Sequence, residues 1–225
     1  MRLGGLAFPR GTYCIVCGKY IDDTRRYALC DHCIKHMNFG ISEFNYGFAA
    51  MGYGLYERRL IFNLKYDGKT YIAPILADIM YDALYSNLAN EKCRELLKAD
   101  LVIPVPLHPN RLRDRGFNQS EKIAKHLCKK LGIPLETKAL IRIKDTHTQR
   151  ALSKKDRKLN MEGVFDIPKQ KKSLIKDKNV VVIDDIYTTG ATIDACSKIL
   201  KENGAKKIYV LTLLFAGNRQ HLMIE

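Results

Sequence analysis

The chain has 225 residues, 46% of them hydrophobic and 28% charged, with a formal net charge of +14. That size holds one domain with a substantial core plus a small appendage. Its longest apolar runs, such as 180–183 and 209–216, are far too short to span a bilayer, and the first residues lack the apolar core of a signal peptide, so a cytoplasmic protein without membrane insertion is expected.

The basic charge is concentrated rather than spread. Between Lys129 and Lys178 there are 15 Lys and Arg against 6 Asp and Glu. Such a surplus suits a polyanion, either a pyrophosphate-bearing small molecule or a nucleic-acid backbone, and equally suits a solvated surface. No aromatic-interleaved platform for single strands is evident in the sequence.

Four of the seven cysteines form two C-x2-C knuckles, Cys14 with Cys17 and Cys30 with Cys33. The odd total and the clustering speak against a disulfide framework. Four thiolates so spaced close a tetrahedral site around a structural Zn²⁺, with no open position for catalysis. Few large apolar residues accompany them, so metal binding would supply much of the folding free energy of this segment. His32 and His36 are near enough to replace one thiolate, and a redox pair is the other alternative. Cys93, Cys128 and Cys196 are expected only to fill apolar positions.

Residues 34–56 alternate aromatics with glycines and read as a connection followed by a β-hairpin or edge strands. Lys65 and Lys69 flank a turn, where they either reach a phosphate or sit in a solvated loop. A helix is expected from about Tyr71 to Leu88, with Pro74 in its first turn. Leu101 to Pro106 is a short apolar strand ended by prolines, and a basic, glycine-containing loop and a second helix (Ile123, Ala124, Leu127, Leu131) follow it. This order puts donors where an anion would sit, although Arg111, Arg113 and Arg115 cannot all face one ligand. A further strand at 140–143 opens the basic region, of which about 144–160 reads as a flexible loop. Residues 168–178 read as a charged surface loop.

The stretch from Val180 to Thr192 organises the rest. Four apolar, mostly β-branched residues run into Asp184 and Asp185, then into Thr188, Thr189, Gly190, Ala191 and Thr192, and then into a segment with helical apolar spacing. Strand, loop and helix in that order leave unpaired N–H groups and hydroxyls at a helix start, which suits a phosphate, with Gly190 allowing close approach. The adjacent carboxylates suit vicinal hydroxyls or a hydrated Mg²⁺. A ligand with a 5-phosphate and a ribose diol meets both demands. A last interior strand is expected at 207–213, and the repeated strand–helix order defines an α/β fold with a mainly parallel sheet flanked by helices.

The 180–192 stretch resembles the phosphoribosyl pyrophosphate (PRPP) motif of type I phosphoribosyltransferases. Together with 104–108, 115–120, Gln149-Arg150, 157–160 and the cysteine knuckles, it resembles the ComF family nearly end to end. The resemblance implies two domains, a zinc ribbon over 1–40 and a phosphoribosyltransferase-like domain over 41–225. It implies that Asp184 and Asp185 steady the ribose, that Thr188 to Thr192 hold the 5-phosphate, and that Arg115 with a lid residue such as Arg150 takes the pyrophosphate. PRPP with Mg²⁺ is the implied substrate, and phosphoribosyl transfer to an acceptor the implied reaction. The family's link to natural competence adds single-stranded DNA and a competence helicase or other DNA-processing proteins as partners. The alternative is a non-catalytic, PRPP-responsive adaptor for DNA or a partner protein.

Overall fold

The computed structural model describes residues 43–52, 55–66, 68–145, 163–216 and 223–224. The four knuckle cysteines and Arg150 lie outside these residues, as do most of the expected flexible loop and the whole of the expected zinc-ribbon segment, 1–40.

Val180 to Ile183 form a strand for the reason their composition suggests. β-Branched side chains pack well on a pleated surface buried on both faces, and all four are buried here. The strand runs over Asn179–Tyr187 and occupies an inner position of a five-stranded sheet. In chain order the strands are β1 (Tyr46–Gly52), β2 (Leu101–Pro104), β3 (Ile141–Arg142), β4 (Phe165–Asp166), β5 (Asn179–Tyr187), β6 (Lys207–Phe215) and β7 (Met223–Ile224). The large sheet has the order β2-β5-β6-β1-β7, and β3 pairs with β4 as a separate antiparallel ribbon. The β2, β5, β6 and β1 strands are mutually parallel, so their C-terminal ends share one edge; β7 is the antiparallel exception.

The helices are α1 (Leu55–Tyr66), α2 (Ala73–Ser86), α3 (Glu91–Leu96), α4 (Pro109–Arg115), α5 (Gln119–Leu131), α6 (Lys172–Ile175) and α7 (Ala191–Glu202). They cover both faces of the sheet. On one face Leu64 of α1, Leu76 and Met80 of α2, and Ile123 and Leu127 of α5 bury against Phe48, Val181, Ile183, Tyr209 and Leu211. On the other, Ile193, Cys196 and Leu200 of α7 meet Ile103, Val180, Val182 and Val210. Alternate residues of each strand serve opposite cores, as a period of two requires. Cys93, Cys128 and Cys196 are buried, as expected of apolar fillers. Among the described residues, no helix is long and apolar enough to cross a membrane.

Three local expectations are corrected. The aromatic and glycine-rich stretch contributes β1, whose partner is not a hairpin neighbour but β6, with Tyr46 opposite Tyr209. Lys65 stands in the last turn of α1, where Ile61 and Leu64 are helically spaced and both bury, and Lys69 stands just past the helix end, so the two flank the chain's exit from α1 as expected. The stretch after β2 contains α4, started by His108, whose ring accepts from the Asn110 N–H at 3.3 Å, and stopped by Gly116 at φ 77°. The charged 168–178 stretch also has structure of its own, since α6 sends Ile175 into the core.

Candidate functional site

The β2 strand ends before β5 does. Pro104 lies opposite Ile183, and beyond it Val105 gives one more backbone bond, its N–H to the Ile183 carbonyl at 2.9 Å. From Asp184 onward that flank of β5 has no strand beside it among the described residues, and the N-terminus of α5 lies there. Asn118 fixes it there. Its side-chain oxygen accepts from the N–H groups of Ser120 (3.0 Å) and Glu121 (3.4 Å), and its amide donates to the Val105 carbonyl at 2.9 Å. One side chain therefore caps α5 and ties that cap to the end of β2.

The two residues after this cap reach the acid pair. Ser120 donates its hydroxyl to Asp184 Oδ1 at 2.8 Å, and Gln119 donates its amide to Asp185 Oδ1 at 3.2 Å. The Asp185 N–H also donates to Asp184 Oδ1, at 2.9 Å. From the opposite direction Lys65 of α1 brings its ammonium within 2.5 Å of Asp185 Oδ2. Arg115, at the end of α4, donates to Gln119 Oε1 at 2.5 Å. Of the other two arginines of this region, Arg111 lies 3.8 Å from Asp145, and Arg113 donates to Asn110.

The two carboxylates are not equivalent. Asp185 is 3% exposed, whereas Asp184 remains partly accessible. Burial raises the Asp184 pKa, the neighbouring Asp185 charge adds to it, and together they bring it to about 7 against the opposing pull of Lys65 and Ser120. Burial acts on Asp185 as well, but there the Lys65 ammonium and the hydrogen bonds from Lys65 and Gln119 outweigh it and keep the carboxyl below its usual range. Asp184 therefore binds its proton more tightly folded than unfolded, and that contribution to stability is full at low pH and is lost as pH rises from about 4 to about 7. Asp185 acts in the opposite sense, with stability lost only as pH falls below the ordinary carboxylate range. In ligand-free protein the urea midpoint should decline over the upper window, and Asp184→Asn should flatten that decline. An unchanged slope in the variant would contradict the assignment.

Beyond the acids the chain turns into α7. Gly190 is its N-cap residue at φ 80°, and among the described residues no side chain makes an N-cap hydrogen bond to this helix. Thr188 is exposed, Thr189 and Thr192 are half-buried, and they surround the helix start together with Ala191. Tyr187 supports the turn from below: its ring stacks on Phe215 at 5.6 Å between centroids and meets Phe44 edge-on at 6.4 Å. Burial, with Asp194 nearby, pushes the Tyr187 phenol up to about 12, so it stays protonated.

The structure thus gathers Asp184, Asp185 and Arg115 into one hydrogen-bonded unit and places 188–192 directly after it. Sequence reasoning left the roles of Asn118, Gln119 and Ser120 unassigned, although a polar Asn-Gln-Ser run directly before an amphipathic helix is an N-cap signal. Chemically, the unit offers acceptors for hydroxyls at Asp184, cations on either side of Asp185, and a helix start suited to a phosphate.

Comparison with known proteins agrees with this geometry. Residues 117–223 match the phosphoribosyl transferase domain. The parallel sheet with its acid pair at the end of β5 and that match define a domain of the type I phosphoribosyltransferase fold. The chain is 33% identical over 151 residues to Competence protein F of Haemophilus influenzae, covering 67% of this chain and 64% of that protein. It is 31% identical over 156 residues to DNA utilization protein YhgH of Salmonella typhimurium, covering 68% and 65%, and 32% identical over 139 residues to Competence protein ComFC of Streptococcus pneumoniae, covering 61% and 57%. The chain is thus a homologue of the Competence protein F, ComFC and YhgH proteins that carries a phosphoribosyl transferase domain. It spans just under two thirds of the length of the first two of these relatives. Among solved structures, a purine phosphoribosyltransferase from Pyrococcus horikoshii aligns at a TM-score of 0.38 and 23% identity, covering 64% of this chain and 83% of that one.

Proposed function

We propose that the protein binds Mg²⁺–PRPP at the strand ends and transfers its phosphoribosyl group to an acceptor with release of pyrophosphate. The observation that carries this reading is the linked acid pair of β5 leading straight into the Gly190 start of α7. In the reaction the bond from the anomeric carbon to the pyrophosphate oxygen breaks with its electron pair, and a bond to the acceptor's lone pair replaces it. Positive charge develops on the sugar and negative charge on the leaving group, so the site's work is to hold the diol, neutralise the pyrophosphate and exclude water. The acid pair organises the ribose end, Asp184 by accepting the hydroxyls and Asp185 by holding the surrounding cations, the 188–192 turn takes the 5-phosphate, and Arg115 and Arg150 take the pyrophosphate. Mg²⁺ arrives with the substrate. The N-terminal segment, residues 1–40, is proposed as a zinc ribbon with Cys14, Cys17, Cys30 and Cys33 as ligands, and 41–225 as the transferase domain. The relatives' names, competence protein and DNA utilization protein, support a role in DNA uptake or utilisation, for which the cytoplasm is the proposed location. The expected result is PRPP-dependent pyrophosphate release that rises when an amine, a nucleobase or single-stranded DNA is added as acceptor. Tight PRPP binding with no release under any acceptor would reject transfer.

One observation favours a second reading, in which PRPP regulates an adaptor for single-stranded DNA or a DNA-processing partner. Lys122, Lys125 and Lys129 of α5 are exposed, as are Lys169, Lys172 and Lys176 near α6. Such charge binds a phosphate backbone with a steep salt dependence. Neutralising these lysines together with the basic residues of 142–158 should flatten that dependence if this reading holds.

A further inference from the structure

Both cations of the site lie outside the matched 117–223 region, Arg115 just before it and Lys65 far upstream. Lys65 belongs to α1, which follows β1, and β1 is separated from β5 by β6. Asp185 is its one ion-pair partner among the described residues, at 2.5 Å, and the Lys65 side chain keeps 19% of its surface accessible. An ammonium carries three donors. The ammonium faces Asp185, and among the described residues it has no further ion-pair partner at its partly open position in the site.

The surroundings of Asp185 say what the arrangement is for. Its Oδ1 takes the Gln119 amide, its Oδ2 takes Lys65, and Gln119 Oε1 takes Arg115. A single acid–amide bridge thus holds two cations, Lys65 on one side and Arg115 on the other. Both Asp185 oxygens are engaged and the residue is nearly inaccessible, whereas Asp184 is partly open.

Building on the phosphoribosyltransferase reading, we infer that Lys65 is a further binding residue of the site, taking the pyrophosphate end of the substrate together with Arg115, and that Asp185 serves by orienting Lys65. Within the acid pair, Asp184 is left to face the diol. The division follows donor chemistry: ribose hydroxyls need an acceptor, and phosphoryl oxygens need charged donors, for which a compact ammonium is suited as a point charge.

Two probes that divide the substrate test this by calorimetric titration: Mg²⁺–pyrophosphate and ribose 5-phosphate. In Lys65→Met the affinity for pyrophosphate should fall by about tenfold or more, while ribose 5-phosphate stays within about twofold of wild type. Lys65→Met/Asp185→Asn leaves no buried carboxylate without its cation, so it serves where the single variant does not fold, and it should show the same selective loss. Pyrophosphate binding restored to the wild-type level in the double variant, or equal loss of both probes there, overturns the inference, because Lys65 would then only balance Asp185. Wild type that binds both probes beside an unaffected Lys65→Met overturns the Lys65 assignment alone. Wild type that binds neither overturns the phosphoribosyltransferase reading, and the inference with it.

Discussion

Gly190→Ala is expected to cost the folded state about 3 kcal/mol, more than a left-handed backbone alone explains. At φ 80° an L side chain is strained to begin with. A Cβ at this position would also stand 2.3 Å from the Tyr187 hydroxyl oxygen and 2.9 Å from its ring carbon. That ring cannot swing aside cheaply, because it is stacked on Phe215 and flanked by Phe44. Either Tyr187 leaves its stack or the 188–190 turn moves, and the second outcome displaces the start of α7. Gly132→Ala is the matched control. Gly132 has φ 70° with nothing within 4 Å of the added carbon, so it carries the backbone strain without the collision. Urea unfolding of the two variants should separate them by about 2 kcal/mol. Equal midpoints would mean that Tyr187 does not hold the turn.

Asp185→Ala is expected to be the second large loss, about 2 to 3 kcal/mol. Removing one partner of a buried pair strands the other, and here two groups lose their acceptor at once, the Lys65 ammonium and the Gln119 amide. The figure stands at the lower end because Lys65 retains a path to water. Asp185→Asn keeps an acceptor for Gln119 and should cost clearly less. A midpoint for Asp185→Ala within about 0.5 kcal/mol of wild type would show that the pair contributes nothing to holding α1 and α5 on the end of β5.

Where the pattern is local and its physical cause strong, the sequence suffices. Val180 to Val182 could be read as a buried parallel strand because β-branched residues in an unbroken run have few other uses, and Ile123, Ala124 and Leu127 mark one face of α5. The acid pair and the glycine turn follow the strand directly, so their placement at one end of the sheet follows from chain connectivity. What could not be read depends on partners far along the chain. Nothing near Tyr46 indicates that it will pair with Tyr209, and the glycines around β1 suggest a hairpin more readily than a parallel partner. Lys65 is a single charged residue next to apolar helical positions, and its role is set by Asp185, which reaches it only after the sheet has formed. The acid pair itself reads as two like residues. Its asymmetry arises from which oxygen each of Lys65, Gln119 and Ser120 occupies, and that is a property of the packed α1 and α5 termini.

Calorimetric titration of Mg²⁺–PRPP into wild type and into Asp184→Asn/Asp185→Asn tests the central reading most directly. Saturable wild-type binding that weakens by about a hundredfold or more in the folded double variant is the result expected of a site built on these carboxylates. A folded wild type that takes up no PRPP, or a double variant that binds it as tightly, would contradict it.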